Sequence, residues 1–229
     1  MRKISKKFQA IVKGVDLDKQ YSPEEAFELV KKYSYEDFDA SVEVHVRTGI
    51  NPRKSDQTIR GSILLPNGTG KTKRVAVFAE GEKATEATNA GADIVGGLEL
   101  IQEIKQSQKS DFDVAVATPD MMKHLAQIAK ILGPKGLMPS PKNETVTTHI
   151  TKTLEEIKKG KINFKNDDSG NVHQILGKRS FDVDKLVENY QAFIESLRRS
   201  RPATAKGTFV VAVSVSSTMG PGIKINPSA

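Results

Sequence analysis

The chain has 229 residues, 37% of them hydrophobic and 28% charged, enough for one large domain or two small ones with separate cores. It has no cysteine and no tryptophan, which excludes a disulfide framework, a thiolate metal site and a cysteine nucleophile. The net charge of +7 favours polyanionic partners, nucleic acid ahead of an anionic membrane.

The opening Met1-Arg2-Lys3-Ile4-Ser5-Lys6-Lys7 is basic, but no apolar run follows it, so no signal peptide is expected. No apolar stretch approaches the ~18 residues of a membrane span, so no membrane partner is expected. Together with the lack of cysteine this fits a cytoplasmic protein. Ser22-Pro23-Glu24-Glu25 predicts a helix start: a serine cap, proline at the first helical position and glutamate closing a capping box. Residues 41–48 alternate strictly. Val42, Val44 and Val46 face one way and Glu43, His45 and Arg47 the other, as in a half-buried strand. Residues 58–65 predict a second strand. Pro66-Asn67-Gly68-Thr69-Gly70 then breaks the pattern and marks a domain boundary.

The middle alternates strand and helix. Strands are predicted over 74–79, 93–95 and 114–118, with helices over 82–90 and 98–107. Thr118-Pro119-Asp120 is expected to cap a helix whose apolar face carries Met122, Leu125, Ile128, Ala129 and Leu132. Gly133 suits a left-handed helix end, Pro134 a stop, and Leu137-Met138 should pack on something. A short helix over 153–159 stops at Gly160. This rhythm predicts a parallel sheet flanked by helices. The last part returns to strands over 161–164 and 171–176. A long amphipathic helix follows over 182–199, then a valine-rich strand over 207–216. The expected domains are residues 1–67 with 160–229, and 68–159. The first pair carries 22 basic and 16 acidic groups, the middle 13 and 12, so the ends should hold the polyanion site.

Several chemical motifs fail on spacing. Gly68-Thr69-Gly70-Lys71-Thr72 ends like a phosphate loop, but Leu65 stands where its first glycine is needed. Gly91 and Gly96-Gly97 do not match the dinucleotide fingerprint. His45, His124, His149 and His173 lack paired ligand spacing, so no metal is expected, and no cofactor or catalytic residue set is visible.

Two segments point elsewhere. Ile131-Leu132-Gly133-Pro134-Lys135-Gly136-Leu137-Met138-Pro139-Ser140-Pro141-Lys142 strongly resembles the diagnostic segment of the large-subunit ribosomal stalk protein family, L-one, in its bacterial form. Ser214-Val215-Ser216-Ser217-Thr218-Met219-Gly220-Pro221-Gly222 is similar to the RNA-binding tail of that family. The resemblance covers essentially the whole chain. It implies an α/β protein of two domains: a split α+β domain interrupted by a Rossmann-like insertion. It also implies a non-enzymatic, monomeric protein that binds 23S-type rRNA, lies near exit-site tRNA and represses its own-operon mRNA. The RNA contacts it implies are Ser214, Ser216, Thr218, Met219 and Gly220 in the tail, with Glu28, Phe38 and Ser41 near the first strand. Lys165, Asn166, Asp167, His173 and Lys178 are expected to adjoin them. Two alternatives stand beside this reading: a nucleotide-dependent α/β hydrolase on the middle domain, and a nucleic-acid binder outside the ribosome.

Overall fold

The structure is a computed structural model and describes residues 6–227, so the basic segment through Ser5 lies outside the described residues. The chain divides into two compact units. One runs to Gly70 and resumes at Asn163; the other is Lys71–Ile162.

In the first unit, α1 (Lys6–Val12) precedes α2 (Pro23–Lys32), and the expected capping box is present on α2. Ser22 accepts from the Glu25 N–H, and Glu25 accepts from the Ser22 N–H. β1 (Ser41–Thr48) follows, then a 3-10 turn at Ser55–Gln57 and β2 (Arg60–Leu64).

The second unit contains β3 (Val75–Phe78), α3 (Glu82–Asn89), β4 (Ile94–Gly96), α4 (Leu98–Ser107) and β5 (Val114–Ala117). Its parallel sheet has the order β4-β3-β5. All four residues of β3 are buried because helices cover both faces. Phe78 and Ala76 meet Ile101 and Ile104 of α4; Val75 and Val77 pack with Ala87 of α3 on the other side.

The expected capped helix after Thr118 is instead broken. It forms α5 (Met122–Leu125), a 3-10 turn at Ala126–Ile128 and α6 (Ala129–Leu132). No side chain caps α5, and the Thr118 carbonyl accepts from the Met121 N–H in a turn. The apolar face survives the break, with Leu125, Ile128 and Leu132 fully buried. Gly133 is not the left-handed residue. Its φ is −59°, and Gly136 takes φ +71°. The N–H of Leu137 bonds the Leu132 carbonyl and that of Gly136 the Gly133 carbonyl, a Schellman closure that carries the turn past Pro134. Leu137 and Met138 pack against the core of this unit. α7 (Ile150–Lys158) begins three residues before the expected start and buries Ile150, Leu154 and Ile157 beside α3.

β6 (Lys161–Lys165) leads back into the first unit and pairs with β2. β7 (Asn171–Lys178), α8 (Val183–Arg199), β8 (Val210–Ser217) and β9 (Ile223–Ile225) complete it. β9 was not foreseen, because three residues after a glycine carry too little periodicity. The main sheet is antiparallel, in the order β7-β1-β8-β9. α2 and α8 cover one face of it, and Leu186, Tyr190, Phe193 and Leu197 of α8 enter the shared core. Phe193 meets Phe164 edge to face at 5.7 Å.

Asn189 of α8 is fully buried and polar. Its amide donates to the carbonyls of Leu176 (2.7 Å) and Gly68 (2.9 Å), and its oxygen accepts from the Asn67 N–H (3.0 Å). It therefore ties the Pro66–Gly70 segment to β7 and α8. Asn189→Ala strands these backbone groups and should lower the unfolding free energy of this unit by about 1–3 kcal/mol. Urea denaturation reads it; an unchanged midpoint would mean that water replaces the amide at no cost.

Candidate nucleic-acid interface

The alternation of β1 decides which face of the main sheet stays open. Val42, Val44 and Val46 point into the core with Val213, Val215, Ile223 and Ile225. The opposite face carries Glu43, His45 and Arg47. Register sets His45 between His173 of β7 and Ser214 of β8, with Lys224 of β9 next to Ser214. Ser216 lies opposite Glu43. Glu43, His45, Ser214 and Ser216 are partly exposed and Arg47, His173 and Lys224 exposed, so the row is polar and partly solvated.

The row is ordered by hydrogen bonds. His45 and His173 meet through their Nδ1 atoms at 2.9 Å. His45 Nε2 lies 3.2 Å from Ser216 Oγ, and His173 Nε2 lies 3.4 Å from Asp167 Oδ2. The three contacts are satisfied when Ser216 donates to His45, His45 to His173 and His173 to Asp167. Asp167 is itself fixed in its turn, accepting from the N–H groups of Asn171 (2.6 Å) and Ser169 (2.9 Å). The Asn171 N–H is the main cause holding its carboxyl below the usual range, against a smaller push from burial.

At one end of the sheet β8 runs into a turn. The Gly220 N–H bonds the Ser217 carbonyl at 3.1 Å. A Cβ on Gly220 would lie 2.3 Å from Ser217 Oγ, so any larger residue would have to push that hydroxyl out of its place. Thr218 Oγ1 accepts from the Ser41 N–H (3.1 Å) and donates to the Ser41 carbonyl (3.3 Å), clamping the turn to the start of β1. Lys178 Nζ donates to Ser41 Oγ (3.1 Å) and to the Asp39 carbonyl (3.2 Å). Beneath the turn lies Glu36, which is buried. Its Oε1 accepts from Ser217 Oγ (2.7 Å) and from the Met219 N–H (3.0 Å), and its Oε2 accepts from Ser34 Oγ. Burial alone would raise its pKa. The hydrogen bonds from Ser34 and Ser217, then from backbone N–H groups, outweigh that and hold the carboxyl below its ordinary value. Met219 and Phe38 remain about half exposed, at 51% and 53%, although both are large and apolar. Phe38 lies in the chain between the two attachment points, Glu36 and Ser41.

The sequence profile of the ribosomal protein L1p/L10e family matches residues 30–221, which takes in β1 and the tail as far as Pro221. The chain belongs to that family. It is 55% identical over 228 residues to the large ribosomal subunit protein uL1 of Macrococcus caseolyticus, covering 100% of this chain and 98% of that one. It is 52% identical over 226 residues to the protein of the same name from Corynebacterium glutamicum, covering 99% and 95%. The corresponding protein of Corynebacterium diphtheriae is 51% identical over 224 residues, covering 98% and 95%. Membership assigns the chain to ribosomal proteins and not to enzymes. Among the described residues, no group of three or more His, Asp or Glu side chains could hold a metal ion.

The expected contact residues fall into distinct places. Ser41, Lys178, Thr218, Met219 and Gly220 come together at the turn, with Phe38 beside it. His173, Ser214 and Ser216 lie on the open face, and Asp167 closes its hydrogen-bond row. Lys165 is exposed on β6. Asn166 is buried, its side-chain oxygen accepting from the Ile59 N–H at 2.7 Å and its amide donating to the Asp167 carbonyl at 2.9 Å. Its polar atoms are committed to the fold. Glu28 is exposed on α2, in the helix layer on the other side of the sheet. Two residues were missed. His45 was legible as facing away from the valines, but its partners are far along the chain. Glu36 carries no local signal at all, since Ser217 and Met219 are more than 180 positions away.

His45 has a depressed pKa, first because it is buried, then because His173 adds positive charge; Glu43 opposes this. A depressed folded pKa means that the unfolded chain binds more protons as pH falls below the ordinary value of 6.5. The stability that neutral His45 contributes is present above that value and is lost as pH falls through the folded pKa. Unfolding free energy should therefore fall from about pH 7.5 to about pH 5.5, and the fall should be shallower in His45→Gln. Urea titrations at both pH values check this; parallel curves for the two proteins would refute it.

Proposed function

We propose that this chain binds a folded segment of 23S-type rRNA on the large ribosomal subunit, in the cytoplasm, and that the turn Thr218–Gly220 with the open sheet face is the contact surface. The observation that carries this reading is the turn: Met219, a half-exposed apolar side chain, is held in a polar frame by Glu36 and by the Thr218–Ser41 clamp, and the half-exposed Phe38 stands in the chain between Glu36 and Ser41. Sequence-specific RNA binding needs such a surface. Apolar and aromatic groups pack on bases or sugars, while hydroxyls and amides read 2′-hydroxyls and base edges. Lys165, Lys178, Arg47 and Lys224 supply positive charge for phosphates. Asn166 and Gly220 serve by shaping the site, and Glu28 is the outlying member of the set. The names of the relatives support the ribosomal setting.

In this reading the same surface takes a similar fold in the messenger of its own operon, so the free, monomeric protein represses its translation. On the subunit the protein forms part of a mobile arm beside exit-site tRNA. The division into residues 1–67 with 160–229, and 68–159, assigns the rRNA contact to the first part. Co-sedimentation with large subunits at high salt tests the central claim. Retention in the large-subunit fraction is expected, and release to the top of the gradient would favour a non-ribosomal nucleic-acid binder.

The surface also makes a graded prediction. Thr218→Ala removes the clamp on Ser41, and Met219→Ala removes an apolar contact. Each should weaken binding to refolded large-subunit rRNA by about 1–3 kcal/mol. Lys105→Ala and Lys109→Ala, on exposed positions of the second unit, should change it little. Filter-binding titrations compare the two pairs; equal losses would indicate diffuse charge attraction.

A further inference from the structure

We propose that Glu36 is a positioning residue for RNA recognition: it sets the conformation of Thr218, Met219 and Gly220 from beneath, without touching the RNA. The inference rests on the rRNA reading above and deepens it.

The geometry is that of a shared anchor. Glu36 is only 6% exposed. Its carboxylate takes donors from three residues on two segments: Ser34 just before it, and Ser217 and Met219 where β8 runs into the turn. Its own carbonyl is held by Arg179 Nη1 at 3.0 Å, which fixes the backbone that carries it. An ionised carboxylate is acceptor-only, and both of its oxygens take donors here. Glutamine keeps the geometry but weakens it. Its oxygen can still serve Ser217 and the Met219 N–H, as Oε1 does now, but without the charge that strengthens both bonds, and its amide group reverses the contact with Ser34, whose hydroxyl must turn to accept. The bond to the Met219 N–H is the one that aims the exposed side chain. Gly220 is coupled to the same anchor through Ser217, whose carbonyl accepts from the Gly220 N–H at 3.1 Å.

Long-range electrostatics makes the opposite prediction. A negative charge under an RNA surface repels phosphate, so simple charge bookkeeping has Glu36→Gln bind every RNA more tightly. Positioning predicts weaker binding, and only to the folded target. The sign of the effect therefore separates the two accounts.

Affinity is measured for the full-length wild type, Glu36→Gln, Met219→Ala and the double variant, against refolded large-subunit rRNA and against poly(A). Thermal melts establish that each variant is folded. Expected is a loss of about tenfold or more for Glu36→Gln on rRNA, unchanged binding to poly(A), and little further loss when it is added to Met219→Ala. Ser34→Ala, which removes a donor on the side remote from the turn, should weaken rRNA binding in the same direction by a smaller factor; it decides the matter if Glu36→Gln does not fold. Wild-type affinity in both Glu36→Gln and Ser34→Ala, tighter binding, equal losses on both RNAs, or a fully additive double variant would each overturn the role. Failure of the wild type itself to prefer rRNA over poly(A) would instead overturn the rRNA reading.

Discussion

Three strands drawn from distant parts of the chain must pair before the candidate surface exists. β1 hydrogen-bonds β7 on one side and β8 on the other, over nearly its whole length. Its alternating valines are useless unless both neighbours present matching core residues, and Val172, Val213 and Val215 do so. Once that register is set, every second side chain is forced to the opposite face. The polar row from His173 through His45 and Ser214 to Lys224 is thus a by-product of burying the valines. A one-residue slip would bury His45 and expose Val44. Core and candidate site depend on the same register.

The second unit shows the contrast. Its strands are parallel and covered on both faces, so β3 is apolar throughout and leaves no open sheet face. Its charge is nearly balanced, whereas the first unit carries most of the positive excess. A parallel sheet of this kind offers ligands only its strand ends and loops. The antiparallel sheet offers a whole face, which suits an extended polymer partner better than a small molecule.

Rigidity at the tail comes from polar bonds, not from apolar packing. Met219 and Phe38 are left half in solvent, so packing cannot hold them. Thr218 clamps Ser41, Glu36 gathers Ser217 and the Met219 N–H, and glycine at position 220 leaves room for Ser217. Among the described residues, no buried side-chain polar atom lacks a partner. A surface ordered in the free protein costs less conformational entropy on binding than one that must be ordered by its partner.

Local chemistry made much of this legible without coordinates. The capping box at Ser22, the strand over 41–48, the apolar stripe of the long helix and the alternation of the middle part all follow from neighbours within one or two turns. The motif at Ser214–Gly222 marked the tail by resemblance, though not its geometry. The break after Leu125 and the left-handed Gly136 escaped, because apolar spacing is nearly the same for a continuous helix and for α and 3-10 turns in succession. The sequence by itself determined which faces are apolar, where the charge lies and which residues suit turns, since these depend on side-chain type and spacing alone. Only the tertiary structure decided that His45 meets His173 and that Glu36 lies under Met219. Those pairings join residues 128 and 183 positions apart, and such contacts follow from strand register and not from local preference.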